Sequence, residues 1–231
     1  MTSTIFTNLG RCALALAMLG PAQAQVPPSA TEERAYTGLF STAIKGDAAA
    51  ITRAIAAGGS VTARDSYKRT PLHVAAYKSN IPAMRTLVAA GADPNALEND
   101  RYDIVTIAAV ANDVPTLKTA LEFGCKATNI TSRYDGTALI AAAHLGHAEV
   151  VRLLIGAGAP LNHVNNLGWT AVIESIVLGN GGANHQATLK HLIEAKADLN
   201  LADRNGTTPL GLARGRGYAA MAKMLEAAGA R

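Results

Sequence analysis

Disulfide crosslinking is the first thing this sequence excludes. Its 231 residues hold two cysteines, Cys12 and Cys125. Removal of an N-terminal export signal leaves Cys125 alone, so stability has to come from packing, without the covalent staples common in exported proteins. Aromatic side chains are scarce at 4%, while hydrophobic residues reach 49%, much of it alanine. That mix suits small helices packed closely better than one bulky core. Charge is weak as well. Lys and Arg number 21 against 17 Asp and Glu, a net +4, too mild to argue for nucleic acid. No apolar run approaches the roughly 20 residues that a membrane helix needs. Neither a Gly-Lys-Ser/Thr phosphate loop nor a Gly-x-Ser-x-Gly nucleophile elbow is present.

What is there begins with an export signature. Arg11 is the single early charge, Cys12 to Leu19 form a short apolar run, Gly20-Pro21 breaks it, and Ala22-Gln23-Ala24 fits a small-x-small cleavage pattern. Residues 1–24 read as a signal peptide cleaved after Ala24, with an uncleaved tether as the alternative, and the mature chain reads as periplasmic. Residues 25–36, with paired prolines Pro27-Pro28, read as a linker.

From residue 37 to 231 the chain repeats itself. Thr70 recurs as Asp103, Thr137, Thr170 and Thr208, in steps of 33, 34, 33 and 38. Counting back gives an earlier unit, and the approximate units are 37–64, 65–97, 98–130, 131–164, 165–202 and 203–231. A period of this size signifies stacked supersecondary units. Thr70 caps a helix through its side-chain oxygen, and Pro71 follows where a missing N–H costs nothing. Leu72 and its equivalents point inward, and alanine pairs such as Ala75-Ala76 let helices approach. Gly146 serves the turn between two helices. Gly91 and Gly158 end the second helix in left-handed backbone. Unit three departs, reading Asp103-Ile104-Val105-Thr106 without Pro or His. Lys196 stands where unit five needs a terminal glycine, and five extra residues around 178–188 should lengthen the link between its helices.

Thr70-Pro71-Leu72-His73, Gly146-His147 and the Gly-Ala-x-x-Asn endings at 91–95 and 158–162 resemble the ankyrin repeat family, over about Leu39 to Arg231. The resemblance implies an all-α fold, a solenoid of about six helix-turn-helix repeats with β-turn fingers. It also implies a protein-binding role, with His73 and His147 hydrogen-bonding backbone.

In that architecture, the finger residues, the residue before the capping Thr and the two after the alanine pair face the concave surface, and nothing in the stack fixes their identity. They include Tyr67, Arg69, Tyr77, Lys78, Tyr102, Arg133, Tyr134, His144, Leu167, Trp169 and Arg204. Five of the seven Tyr and Trp residues fall on such positions, and these residue types are the usual anchors of interfaces. Finger tyrosines that merely stiffen the row are the competing reading. The arginines and Lys78 suggest a partner with an acidic patch.

A metal site at His144/His147 lacks a thiol or carboxylate to complete it, and Cys125 reads as a packed, inert thiol. The expectation is a non-enzymatic, monomeric binding module with no cofactor, metal, nucleic acid or membrane span. An inhibitor or immunity-type protein that neutralises a toxic enzyme in the same compartment is the alternative.

Overall fold

The computed structural model describes residues 26–231, so the predicted export signal at 1–24 lies outside the described residues. A short helix α1 (Ala30–Ala35) comes first. Six helical hairpins follow. Their first helices are α2 (Gly38–Lys45), α4 (Pro71–Tyr77), α6 (Ile104–Val110), α8 (Ala138–Leu145), α10 (Ala171–Val177) and α12 (Pro209–Gly215). Their second helices are α3 (Ala48–Ala56), α5 (Ile81–Ala89), α7 (Val114–Glu122), α9 (Ala148–Gly156), α11 (Ala183–Glu194) and α13 (Ala219–Ala227). Each first helix packs on the first helix of the next unit, and second helices such as α9 and α11 pack on each other. The result is two helical layers around one elongated core that runs from Leu39 to Leu225.

Local chemistry explains the helix starts. Thr70, Asp103, Thr137, Thr170 and Thr208 each accept the N–H three residues on, closing an orphan donor of the first turn. At α4 the cap is reciprocal. The Thr70 N–H donates to His73 Nδ1 at 3.1 Å, so Nε2 carries the proton and reaches the carbonyls of Ala96 at 3.0 Å and Tyr102 at 3.3 Å. His73 therefore crosslinks unit two to unit three, and burial holds its pKa down at about 4. Unit three does the same work with other atoms. The Thr106 hydroxyl joins Asp103 Oδ1 at 2.8 Å and Thr131 Oγ1 at 3.0 Å, which accounts for the missing histidine there.

The turn between the two helices and the start of the second helix make a second set of crosslinks. Asn80 donates to the carbonyls of Ala43 and Ile44, His147 Nδ1 to Ala109, His185 Nε2 to His144 and the Tyr218 hydroxyl to Gly179. In every case the acceptor belongs to the preceding unit. Cys125 is buried with its thiol 3.3 Å from the Pro94 carbonyl, and burial pushes its pKa up to about 12. At neutral pH it is therefore a protonated, shielded thiol.

Two expectations need correction. The described part of the expected linker, residues 26–36, is not bare. It carries α1, capped by a reciprocal Ser29–Glu32 box, and Pro28 is buried. The insertion in unit five lengthens more than the link. The link grows to Leu178–Gly182, and α11 has 12 residues where α5, α7 and α9 have 9. The joint is tight. A Cβ on Gly179 would lie 2.1 Å from the Ser175 carbonyl oxygen and 2.6 Å from the His185 ring, so only glycine fits.

Candidate binding surface on the fingers and first helices

Each finger is shaped by one side chain. Asp65, Glu98, Ser132, Asn165 and Asp203 present an oxygen that accepts the N–H groups two and four residues on. At Asp65 these donors are Tyr67 and Arg69, at Asn165 they are Leu167 and Trp169. Glu98 holds Asp100 and Tyr102, Ser132 holds Tyr134 and Gly136, and Asp203 holds Asn205 and Thr207. Such turns are local alternatives to regular backbone pairing. The backbone closes each finger as well, with Asn165 N donating to the Trp169 carbonyl at 3.0 Å. Neighbouring fingers are then stitched together. Asn99 N donates to the Tyr67 carbonyl and Asn166 N to the Tyr134 carbonyl, both at 2.9 Å. The finger of unit four pairs Thr131 with Gly136 in an isolated bridge. It is one residue longer than the others, which explains the step of 34.

The expected anchors fall into two groups. Tyr77 and Tyr102 pack partly buried against the core. The Tyr77 hydroxyl is buried without a hydrogen bond, and burial raises the pKa of both phenols. Tyr67 is 37% exposed, and Tyr134, Leu167 and Trp169 are partly exposed on their fingers. Among the described residues, none hydrogen-bonds the Tyr134 hydroxyl or the Trp169 indole N–H.

Arg69 is the clear departure from expectation. It is 0% exposed and cannot be an open contact. Its Nε lies 2.6 Å from Asp65 Oδ2, its Nη1 3.1 Å from the Val26 carbonyl, and its Nη2 pairs with Glu32. Its guanidinium also sits 4.6 Å over the Tyr67 ring, a cation–π contact. The other expected cations are engaged too. Lys78 pairs with Glu33, Arg133 with Asp100 at 2.5 Å, and Arg204 donates to the Asn166 carbonyl. The face is thus less basic than its residue types suggest, because Arg69, Lys78 and Arg133 are paired with carboxylates of the same chain, while Arg204 keeps its charge.

One residue of the surface escaped sequence reading. Glu174 stands in unit five where Val74, Ile107, Ala141 and Leu212 stand in the others, and it is only 4% exposed. Asn165 Nδ2 donates to its Oε1 at 2.9 Å. His144 Nδ1 approaches Oε2 to 3.5 Å without forming a hydrogen bond, so that oxygen is unsatisfied. Burial outweighs the Asn165 bond and raises the Glu174 carboxyl to about 7, while burial lowers the His144 pKa. Aligning the units position by position would have revealed this carboxylate among apolar residues. Of the histidines considered for metal, His147 and His185 bond carbonyls, and no group of three or more candidate ligands forms among the described residues.

Comparison with known proteins agrees with the geometry. A family model described as three copies of ankyrin repeats matches residues 105–183, and one for a single ankyrin repeat matches 67–99. An ankyrin repeat domain from Acinetobacter baumannii, known from a crystal structure, is 44% identical with a TM-score of 0.78, over 84% of this chain and 98% of that one. The ankyrin repeat domain of Bcl-3, a member of the IκB family, is 26% identical with a TM-score of 0.75, over 85% of this chain and 87% of that one. The Escherichia coli K12 ankyrin repeat protein YahD is 42% identical over 103 residues, which are 44% of this chain and 51% of YahD, so the match spans about half of that relative. With its stacked hairpins, stitched fingers and near full-length likeness to a solved ankyrin domain, the chain belongs to the ankyrin repeat family.

Proposed function

We propose that this protein is a non-enzymatic binding module of the periplasm that holds one partner protein along its fingers and first helices. The carrying observation is the exposure of Tyr67, Tyr134, Leu167 and Trp169 on fingers whose shape is already fixed by Asp65, Ser132 and Asn165. Aromatic side chains left over after the fold is satisfied cost water-exposed apolar area, and burying them against a partner recovers it. Five stitched fingers supply enough length for a standard interface of about 800 Å² a side. Repeat stacks typically serve as extended binding surfaces of this kind.

Affinity capture tests the reading. The chain from Gln25, immobilised, is exposed to native periplasmic extract beside a Tyr67→Ala/Tyr134→Ala/Trp169→Ala version. A protein retained by the first and lost by the second is the expected result. Equal retention by two equally folded proteins would move the contact away from the fingers.

A further inference from the structure

The first stretch of the surface is already occupied by the chain itself. Segment 26–36 lies across units one and two and is held there by polar contacts, a buried Pro28 and one aromatic stack. The Val26 carbonyl accepts from Arg69, Glu32 pairs with Arg69, Glu33 pairs with Lys78, and the Tyr36 hydroxyl donates to Asp65 at 2.5 Å. Tyr36 also stacks on Phe40 with ring centres 5.1 Å apart. In the last two units, Trp169 and Thr207 occupy the place of Arg69 and are partly exposed.

The segment has little of its own to hold it there. Helix α1 has six residues and buries none of them. A helix of that length does not persist alone in water, and a segment with few apolar contacts sits at the low end of local stability. Its position depends on the carboxylates of Glu32 and Glu33, the phenol of Tyr36 and the buried Pro28. The Lys78–Glu33 pair is partly exposed and worth about 0–1 kcal/mol. The Arg69–Glu32 pair reaches a buried guanidinium and is the firmer hold. Tethering supplies an effective concentration on the order of millimolar.

We propose that units one and two form a binding site for an acidic helical peptide, and that segment 26–36 is its resident, displaceable ligand. This deepens the reading of the surface as a protein-binding face and names the chemistry of the partner segment. That segment carries two consecutive carboxylates on one short helix with an aromatic hydroxyl one turn later. Such a segment meets Arg69, Lys78 and Asp65 as Glu32, Glu33 and Tyr36 do. Units three to six, with Tyr134, Leu167 and Trp169, then stay open for a partner while the first two, with Tyr67 beside Arg69, exchange one occupant for another.

The test uses the full chain and a labelled synthetic peptide of residues 26–37, so it needs no knowledge of the natural partner. In a Glu32→Lys/Glu33→Lys chain the resident segment is repelled. Hydrogen exchange should show residues 29–36 losing protection while α4 and later helices keep theirs. That chain should bind the peptide at least tenfold more tightly than the unaltered chain, and adding Lys78→Glu should remove the gain. A variant that releases its segment yet binds the peptide no better than the unaltered chain overturns the proposal. Should the double variant unfold, Glu33→Lys alone serves: release of α1 protection without any gain in peptide binding over the unaltered chain also overturns it. Capture of a natural partner through the fingers can fail while the peptide result stands, so the two readings are separable.

Discussion

Units two and five place their first helices exactly one hundred positions apart, and the pairs of equivalent residues have opposite fates. Arg69 is sealed under the N-terminal segment, whereas its equivalent Trp169 is partly exposed. His73 crosslinks two units, and Ile173 merely fills the core. Val74 is an ordinary buried residue, and Glu174 is a carboxyl pressed into the same place. Gly91 ends its helix at φ 91°, and Lys196 is forced to φ 67° at the corresponding site. One backbone plan therefore sets where a side chain stands, and the neighbours set what it does.

The largest expected effect breaks the contrast at its polar end. Arg69→Ala leaves Asp65 and Glu32 without their buried partner, and breaking such a pair costs about 3–5 kcal/mol. For a domain of this size that is a fall in Tm on the order of 10 °C, while Trp169→Ala should leave thermal melting within about 2 °C of the unaltered chain.

Next comes Glu174. Its folded pKa of about 7 lies above the ordinary carboxyl value of 4.5, so the folded state holds the proton more tightly than the unfolded one. Its penalty is absent below pH 4.5 and grows as pH rises through 7. Glu174→Leu, which restores the residue type of Leu212, should gain up to about 3 kcal/mol in urea unfolding at pH 8 and show that gain shrink towards pH 5. A gain independent of pH would mean that packing alone is responsible.

His73 works in the opposite direction. Its folded pKa of about 4 lies below 6.5, so its contribution is complete above pH 6.5 and is lost as pH falls towards 4. A His73→Thr chain, patterned on Thr106 of unit three, should lose about 1–2 kcal/mol at pH 7 through the broken crosslink and lose less on acidification to pH 5 than the unaltered chain. The smallest effect is at the helix ends. Lys196→Gly relieves left-handed strain and should stabilise by about 0.5–1 kcal/mol, and Gly91→Lys should cost a similar amount.

Much of the fold was legible because the repeat encodes it locally. The caps at Thr70, Asp103, Thr137, Thr170 and Thr208 and the helix-ending glycines act within a few residues of themselves, so spacing alone placed them. The site was legible only in outline. Arg69 reads as an open cation because its partners Val26 and Glu32 come from a segment some forty residues earlier that has no repeat pattern. Glu174 is hidden for another reason, since a carboxylate on a short helix looks solvent-facing until its register is matched to Val74 and Ile107. The insertion was placed correctly but its partition between link and helix was not, because that depends on His185 and Tyr218 closing over Gly179 and Gly181.

The oxygen at the base of each finger separates spelling from grammar. Asp65, Glu98, Ser132, Asn165 and Asp203 are four different residue types, yet each shapes its loop by accepting the same two backbone amides. The residues at the tips can therefore be exchanged without altering the frame that presents them. Exposed tip residues such as Tyr134 and Trp169 can change one finger at a time while the amide-gripping frame beneath them stays the same.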